Sequence, residues 1–178
     1  MRERIVRESA TLFLAHGFES VSVDQIVAAA EIARSSFYRF FRGRDEVLAS
    51  IIRPVFESGV STMREIAQRP AREIMGGLLD MYLRLWSAGP DALRLATRMG
   101  VYFHLFEDVH GAYREMLTEL IRRVQPTGTL LNDSADYSAR LIARSAVAVL
   151  EVYRDDPRHE LLFRRTMSGL LLKPEARS

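Results

Sequence analysis

Residues 22–44 read SVDQIVAAAEIARSSFYRFFRGR, and the fold is decided in this stretch. Ser22 followed three positions later by Gln25 is a capping box, in which each side chain satisfies an orphan amide at a helix start. Asp24 adds an acid to that first turn, where the helix dipole favours negative charge. Val23, Ile26, Val27 and Ala30 recur at helical spacing and make one apolar face. After Glu31-Ile32-Ala33 a second short helix begins, closed by Gly43. From Ala33 to Arg44 there are four arginines (Arg34, Arg39, Arg42, Arg44) and no acid. A short helix with small hydroxyls and arginine at its front, and Tyr38 and Arg39 behind, suits a DNA major groove. The hydroxyls and guanidiniums reach base edges and phosphates, while Phe37 and Phe40 or Phe41 pin the helix to its neighbours.

Working outward, residues 2–16 form a first helix with Ile5, Val6, Leu12 and Phe13 inward; Gly17 ends it and Phe18 returns to the core. On the other side, Arg44-Asp45-Glu46 opens a fourth helix with acids in its first turn. The segment from about residue 5 to 53 resembles the N-terminal domain of the TetR family of bacterial transcriptional repressors. The resemblance is carried by Ile5, Ala10, Leu12-Phe13, His16-Gly17-Phe18, Ser22-Val23, Ile26-Val27, Ser36-Phe37-Tyr38, Phe41, Arg44-Asp45-Glu46 and Leu48, in order and without a gap. It implies that Arg34, Ser35, Ser36 and Arg39 face the groove, with Ser22, Tyr38 and Arg44 at phosphates. Two positions depart from the family. Glu31 stands in the turn where Gly is usual, which calls for a positive φ at some cost. Ala33 stands where Ser is usual, and Ala cannot cap.

The 178 residues suffice for one substantial core or for a small domain plus a medium one. The apolar and charged fractions, 48% and 27%, are those of an ordinary globular protein. The net charge is only +2, so DNA binding has to rest on a local patch rather than on bulk charge. With no cysteine there is no disulfide, thiolate metal site or cysteine nucleophile. The alternating charges Arg2, Glu3, Arg4, Arg7 and Glu8 are unlike a secretory signal, and no apolar run is long enough to span a bilayer. The expectation is a cytoplasmic protein without a membrane partner.

No strand pattern occurs, so the fold class is all-α, with about nine helices. Residues 1–44 are expected to form the helix-turn-helix head and residues 45–178 a larger helical effector-binding and dimerisation body. The fourth helix runs from about Arg44 to Gln68. It contains Pro54, which removes a backbone donor and either bends the helix into a pivot or merely shapes packing. A fifth helix starts at Arg69-Pro70 and ends at Ala88-Gly89. Its Gly76-Gly77 pair costs roughly 1 kcal/mol per Gly relative to Ala, so a crossing helix or a ligand comes close there. The sixth helix runs from Pro90 to about Phe106 and the seventh from about Val109 to Val124. After the loop Gln125–Thr129, Asn132 or Asp133 caps an eighth helix that ends at Tyr153. Asp155 or Asp156 caps a ninth, with Pro157 at its first position, that ends near Leu172. The tail from Lys173 frays.

Tyr82, Trp86, Met99, Tyr102, Phe103, Phe106, Tyr113, Met116 and Leu117 lie on helices five to seven. Periodicity alone makes them core; the family resemblance implies an apolar effector pocket, with tyrosine hydroxyls, Arg98 and His104 as its few polar contacts. His104, Glu107, Asp108 and His110 mimic a metal cluster, but the break before His110 and the lack of a second pair make a solvated helix end the better reading. Helix eight offers the face Ala139, Ile142, Ala143, Ala146, Val147 and Leu150, and helix nine adds Leu170. These are either core or the seam of a homodimer, and the resemblance favours the dimer. No Gly-rich phosphate loop, nucleophile elbow or acid/base pair is present, so no catalytic residue, metal or cofactor is assigned. The reading is a homodimeric regulator, most simply a repressor, that binds a palindromic double-stranded operator and is released by a small apolar ligand. The alternatives are a helical DNA binder without an effector, and a helical enzyme with an incidental helix-turn-helix.

Overall fold

The computed structural model describes residues 1–176. Among them there is no strand, only an isolated antiparallel bridge between Leu130 and Leu172. The helices are α1 (Arg2–His16), α2 (Val23–Ala29), α3 (Arg34–Tyr38), α4 (Arg44–Ile66), α5 (Ala71–Ala88), α6 (Pro90–Arg98), α7 (Glu107–Val124), α8 (Ala135–Tyr153) and α9 (His159–Leu171), with 3-10 turns at Phe18–Ser20, Gly100–Leu105, Gln125–Thr127 and Pro174–Ala176. No helix among the described residues is long and apolar enough to cross a membrane.

The chain forms two compact units. The first holds Met1–Phe56 and Gly89–His110; the second holds Glu57–Ala88 and the chain from Gly111 onward. The unit that contains the head therefore extends past residue 44, taking in the first half of α4 and all of α6.

In the first unit, Ile5 and Phe13 from α1, Ile26 from α2, Phe37 and Phe41, and Leu48 and Ile52 from α4 are all buried. Each such side chain contributes about 1.5–3 kcal/mol of apolar burial. α6 packs on α1. It ends at Arg98 rather than near Phe106, because Met99 leaves helical geometry at φ −90°, ψ 34°. The 3-10 turn that follows lets Tyr102 meet Phe18 edge-on at 4.7 Å and donate its hydroxyl to Glu19 Oε1. Tertiary contact has overridden the helical pattern there.

In the second unit, α8 and α9 form the most extensive helix pair and α5 packs on both. Phe163 and Met167 of α9, Ile142 and Ala146 of α8, and Ile74 and Leu78 of α5 are without solvent exposure. Gly77 lies against α4: a Cβ there would stand 3.1 Å from Ile66 Cγ1. Close helix approach thus accounts for that glycine, whereas Gly76 borders a small cavity of about 150 Å³. The cap of α8 is Ser134, whose Oγ accepts from the Tyr137 amide, rather than Asn132 or Asp133. Asn132 instead supports the cap, its Oδ1 accepting from the Ser134 amide and the Ser138 hydroxyl. α9 begins two residues beyond Pro157, with the Asp156 carboxylate accepting the Arg158 amide at 2.7 Å. Lys173 is not frayed. Its amide donates to the Thr129 carbonyl and its ammonium to Asp133, both within 2.9 Å.

Candidate nucleic-acid interface

The helix-turn-helix forms as the residues dictate. Ser22 Oγ accepts the Gln25 amide at 3.2 Å while Gln25 Oε1 accepts the Ser22 amide at 2.7 Å, completing the capping box of α2. Glu31 takes φ 50°, the left-handed conformation anticipated for a non-glycine in this turn. Its carbonyl accepts from Arg4 Nη2 at 3.2 Å, so α1 holds the turn in place. Ala33 starts α3 without a side-chain cap.

α3 is only five residues long, and the chain turns through Arg39 and Phe40 instead of continuing helically to Gly43. Phe37 and Phe41, with ring centroids 6.0 Å apart, both enter the core and fix the helix; Phe40 is half-buried. Ser22, Arg34, Ser35, Tyr38 and Arg39 are exposed, and Ser36 is half-buried. This face carries hydroxyls and cations on a helix held from behind by two phenylalanines. It is the arrangement a groove-binding helix needs.

Arg44, expected at a phosphate, is held by backbone carbonyls of its own chain. Its Nη1 donates to the carbonyls of Phe18 (2.9 Å), Glu19 (3.1 Å) and Val21 (2.6 Å). Its guanidinium also lies over the Phe18 ring, with Cζ 4.9 Å from the centroid. These carbonyls end the 3-10 turn Phe18–Ser20 and lead into α2. Arg44 therefore fixes the entry to the helix-turn-helix from the start of α4. The sequence shows the arginine but not the three carbonyls, which converge only in the folded chain. Asp24 is a second residue whose place was not legible. Its carboxylate accepts from Arg34 Nη1 on the exposed face, while Arg34 Nη2 reaches the Tyr38 hydroxyl at 3.4 Å. These hydrogen bonds, Tyr38 first and then Asp24, raise the Arg34 pKa further above its ordinary value.

The nine residues expected around an effector fall in different units. In the first, Phe106 stacks on Phe56 at 5.8 Å, Phe103 stacks on His110 at 3.9 Å, Tyr102 holds Glu19, and Met99 is half-buried. In the second, Tyr82, Tyr113 and Leu117 are buried, with Trp86 and Met116 half-buried. The Tyr82 and Tyr113 hydroxyls share a hydrogen bond inside that core. Burial raises both: the Tyr82 hydroxyl is pushed up to about 12, and Tyr113 rises well above its ordinary value. An open groove of about 610 Å³ runs beside α7, floored by Ala112, Met116 and Leu120. Among the described residues no group of His, Cys, Asp or Glu is placed to hold a metal ion. Asp108 instead pairs with Arg53 through two bonds of 2.9 and 2.6 Å.

The expected dimer seam is largely occupied within the chain. Ala139, Ile142, Ala146, Val147 and Leu150 are each at most 5% exposed, because α5 and α9 cover that face of α8. Only Ala143 and Leu170 of the set are exposed. The large outward apolar residues of this helix pair are Tyr137 and Val152 on α8 and Leu161 and Leu170 on α9.

Residues 5–51 match the family model described as bacterial regulatory proteins, tetR family. The chain is 27% identical over 124 residues to the HTH-type transcriptional regulator TcmR of Streptomyces glaucescens, a match covering 68% of this chain and 53% of TcmR. The chain thus spans about half the length of that relative. Among solved structures, its fold is similar to the ketosteroid transcriptional regulator KstR2 of Mycobacterium tuberculosis, with a TM-score of 0.79 at 17% identity over 97% of this chain and 95% of that one. It is also similar to the fatty acid degradation regulator FadR of Bacillus halodurans, with a TM-score of 0.70 at 17% identity over 96% and 94% of the two chains. With the capping box, the pinned α3 and this match in register, residues 5–51 are a helix-turn-helix DNA-binding domain of the kind described for bacterial regulatory proteins of the tetR family.

Proposed function

We propose that the protein is a transcriptional repressor that binds a two-fold operator as a homodimer and is released by a small apolar ligand. The observation that carries the reading is α3 itself. Buried Phe37 and Phe41 anchor it, leaving Arg34, Ser35, Tyr38 and Arg39 outward, with Ser22 and Ser36 beside them. Arg34, Ser35, Ser36 and Arg39 reach base edges and phosphates, and Ser22 and Tyr38 contact the backbone. Reading successive major grooves requires two heads roughly 34–36 Å apart, hence two copies of the chain. The exposed apolar residues Tyr137, Val152, Leu161 and Leu170 are the surface through which α8 and α9 meet their twins.

The effector enters the second unit at the Tyr82–Tyr113 pair, where two hydroxyls sit in an otherwise apolar core of Leu78, Leu117 and their neighbours. Tyr113 also lies against Gly59 of α4, and α4 is the first of three covalent passages between head unit and body. A ligand that shifts Tyr113 therefore acts on an element that continues into the head unit. It weakens DNA binding only to the extent that it prefers the off-register state.

Selection from a randomised duplex library tests this directly. The expected product is an inverted repeat bound with a steep salt dependence, lost in Ser35→Glu. Titration of apolar compounds against Trp86 emission, in parallel with operator affinity, tests release. Linkage requires that ligand and operator weaken each other by the same factor, about 5- to 150-fold for coupling of ordinary size. Enrichment of no sequence would sink the DNA-binding reading. Ligand binding at Trp86 with unchanged operator affinity would remove the effector mechanism alone.

A further inference from the structure

The ion pair on the DNA-facing surface has no evident place in the stability of the fold. Asp24 is on α2 and Arg34 opens α3, ten residues apart in sequence, and Nη1 of the guanidinium donates to Asp24 Oδ1. The Tyr38 ring lies under the same guanidinium, 5.7 Å from centroid to Cζ. The side chains of Arg34 and Asp24 are 57% and 70% exposed, so their pairing is of the kind that stabilises little. The core already holds α2 and α3 through Ile26 and Phe37. Meanwhile the carboxylate sits beside the surface meant for a polyanion, where it weakens general attraction to DNA.

What the pair does provide is orientation. An unrestrained arginine has many rotamers, and bidentate recognition of guanine O6 and N7 demands one plane of the guanidinium fork. Asp24 ties down Nη1 and Tyr38 supports the plane. Only the 3.4 Å bond to the Tyr38 hydroxyl then has to be released to free the Nη2 edge for a base. We propose that Asp24 is a specificity-determining residue, orienting Arg34 to read a guanine at one base pair of each half-site. This rests on the reading that α3 enters the major groove. Asp24 acts through Arg34 and is a positioning residue. The carboxylate trades non-specific affinity for discrimination at that base pair.

The test compares sequence preferences selected from a randomised duplex library by the full-length wild type, Asp24→Asn, Asp24→Glu, Arg34→Ala and the double variant Asp24→Asn/Arg34→Ala. Wild type is expected to prefer guanine at the position in question, and Arg34→Ala to lose that preference, on the order of 5- to 150-fold for a bidentate contact. Asp24→Asn should lose a severalfold part of the preference at the same position while binding unrelated duplexes more tightly. Asp24→Glu keeps the charge but changes its reach, so it should lose discrimination without that general gain. The double variant should match Arg34→Ala at that position. Melting midpoints should stay together, since the pair is exposed. If Asp24→Asn keeps every base preference and binds all sequences more tightly by one factor, Asp24 is only a surface charge and the proposal is overturned. Retained guanine preference in Arg34→Ala overturns it as well. Failure of the wild type to enrich any sequence removes the DNA-binding reading and this proposal with it.

Discussion

The ring of Tyr113 lies where a side chain at position 59 would stand: a Cβ on Gly59 would come within 2.8 Å of Tyr113 Cδ2, and closer still to Cε2. Alanine in a helix interior ordinarily gains about 1 kcal/mol over glycine. Overpacking a buried ring costs about 1–3 kcal/mol, and Tyr113 has little freedom to retreat because its hydroxyl is bonded to Tyr82. The clash wins. Gly59→Ala is expected to lower the melting midpoint in the wild type, and to raise it by comparison once Tyr113→Ala has emptied the space. The double-mutant cycle measures the coupling. A stabilised single variant would show that the ring is free to move.

Arg44 and Arg39 should separate by readout. Arg44→Ala removes the charge-assisted bonding that the two N–H groups of Nη1 share among three carbonyls, about 1.5–3 kcal/mol per N–H in a buried setting and less here because the side chain is 28% exposed. Its expected signature is a lower melting midpoint of the head. Arg39→Ala should leave melting unchanged and reduce the salt slope of DNA binding by about one unit. The reverse assignment of effects would restore Arg44 to the phosphate backbone.

Glu31→Gly should stabilise the head slightly. The left-handed conformation costs a non-glycine about 1–2 kcal/mol, and extra freedom of the unfolded glycine returns about 0.4–1 kcal/mol of that. Chemical denaturation should register a net gain of about 0–1.6 kcal/mol.

Within the helix pair α8 and α9, position decides the effect of a charge. Val152 is 76% exposed; if the proposed dimer forms through this surface, light scattering should find Val152→Arg monomeric, with secondary structure and the monomer's melting intact. Ala146 is fully buried, so Ala146→Arg should unfold the body itself, since an unpaired buried charge is strongly unfavourable. A Val152→Arg protein that remains dimeric would place the seam elsewhere.

Acid stability carries a contribution from Asp108, whose carboxyl is held below its ordinary value of 3.8, chiefly by its hydrogen bond with Arg53. A depressed carboxylate stabilises the fold above the ordinary value, and the contribution disappears as pH falls through the lowered one. Asp108→Asn should therefore flatten the dependence of melting on pH below about 4 and leave its slope near neutrality unchanged.

The local physics was written in the sequence. Ser22 and Gln25 specify the start of α2, and Phe37 and Phe41 specify which side of α3 is held, because each follows from neighbours within a few residues. The left-handed turn at Glu31 was legible only through the family resemblance, since glutamate itself disfavours it. The all-α class followed from the absence of any alternating pattern. Tertiary structure alone decided which of several compatible roles a residue took. Nothing near Arg44 in sequence announces the three carbonyls that converge on it, and Asp24 looks like a helix-dipole acid until α3 brings Arg34 beside it. The Ala139–Leu150 face is equally suited to a twin helix or to the chain's own α5 and α9, and packing gave it to the latter. Helical periodicity records that a face is buried but not against what, since apolar burial is non-directional and the partner is chosen by the whole fold.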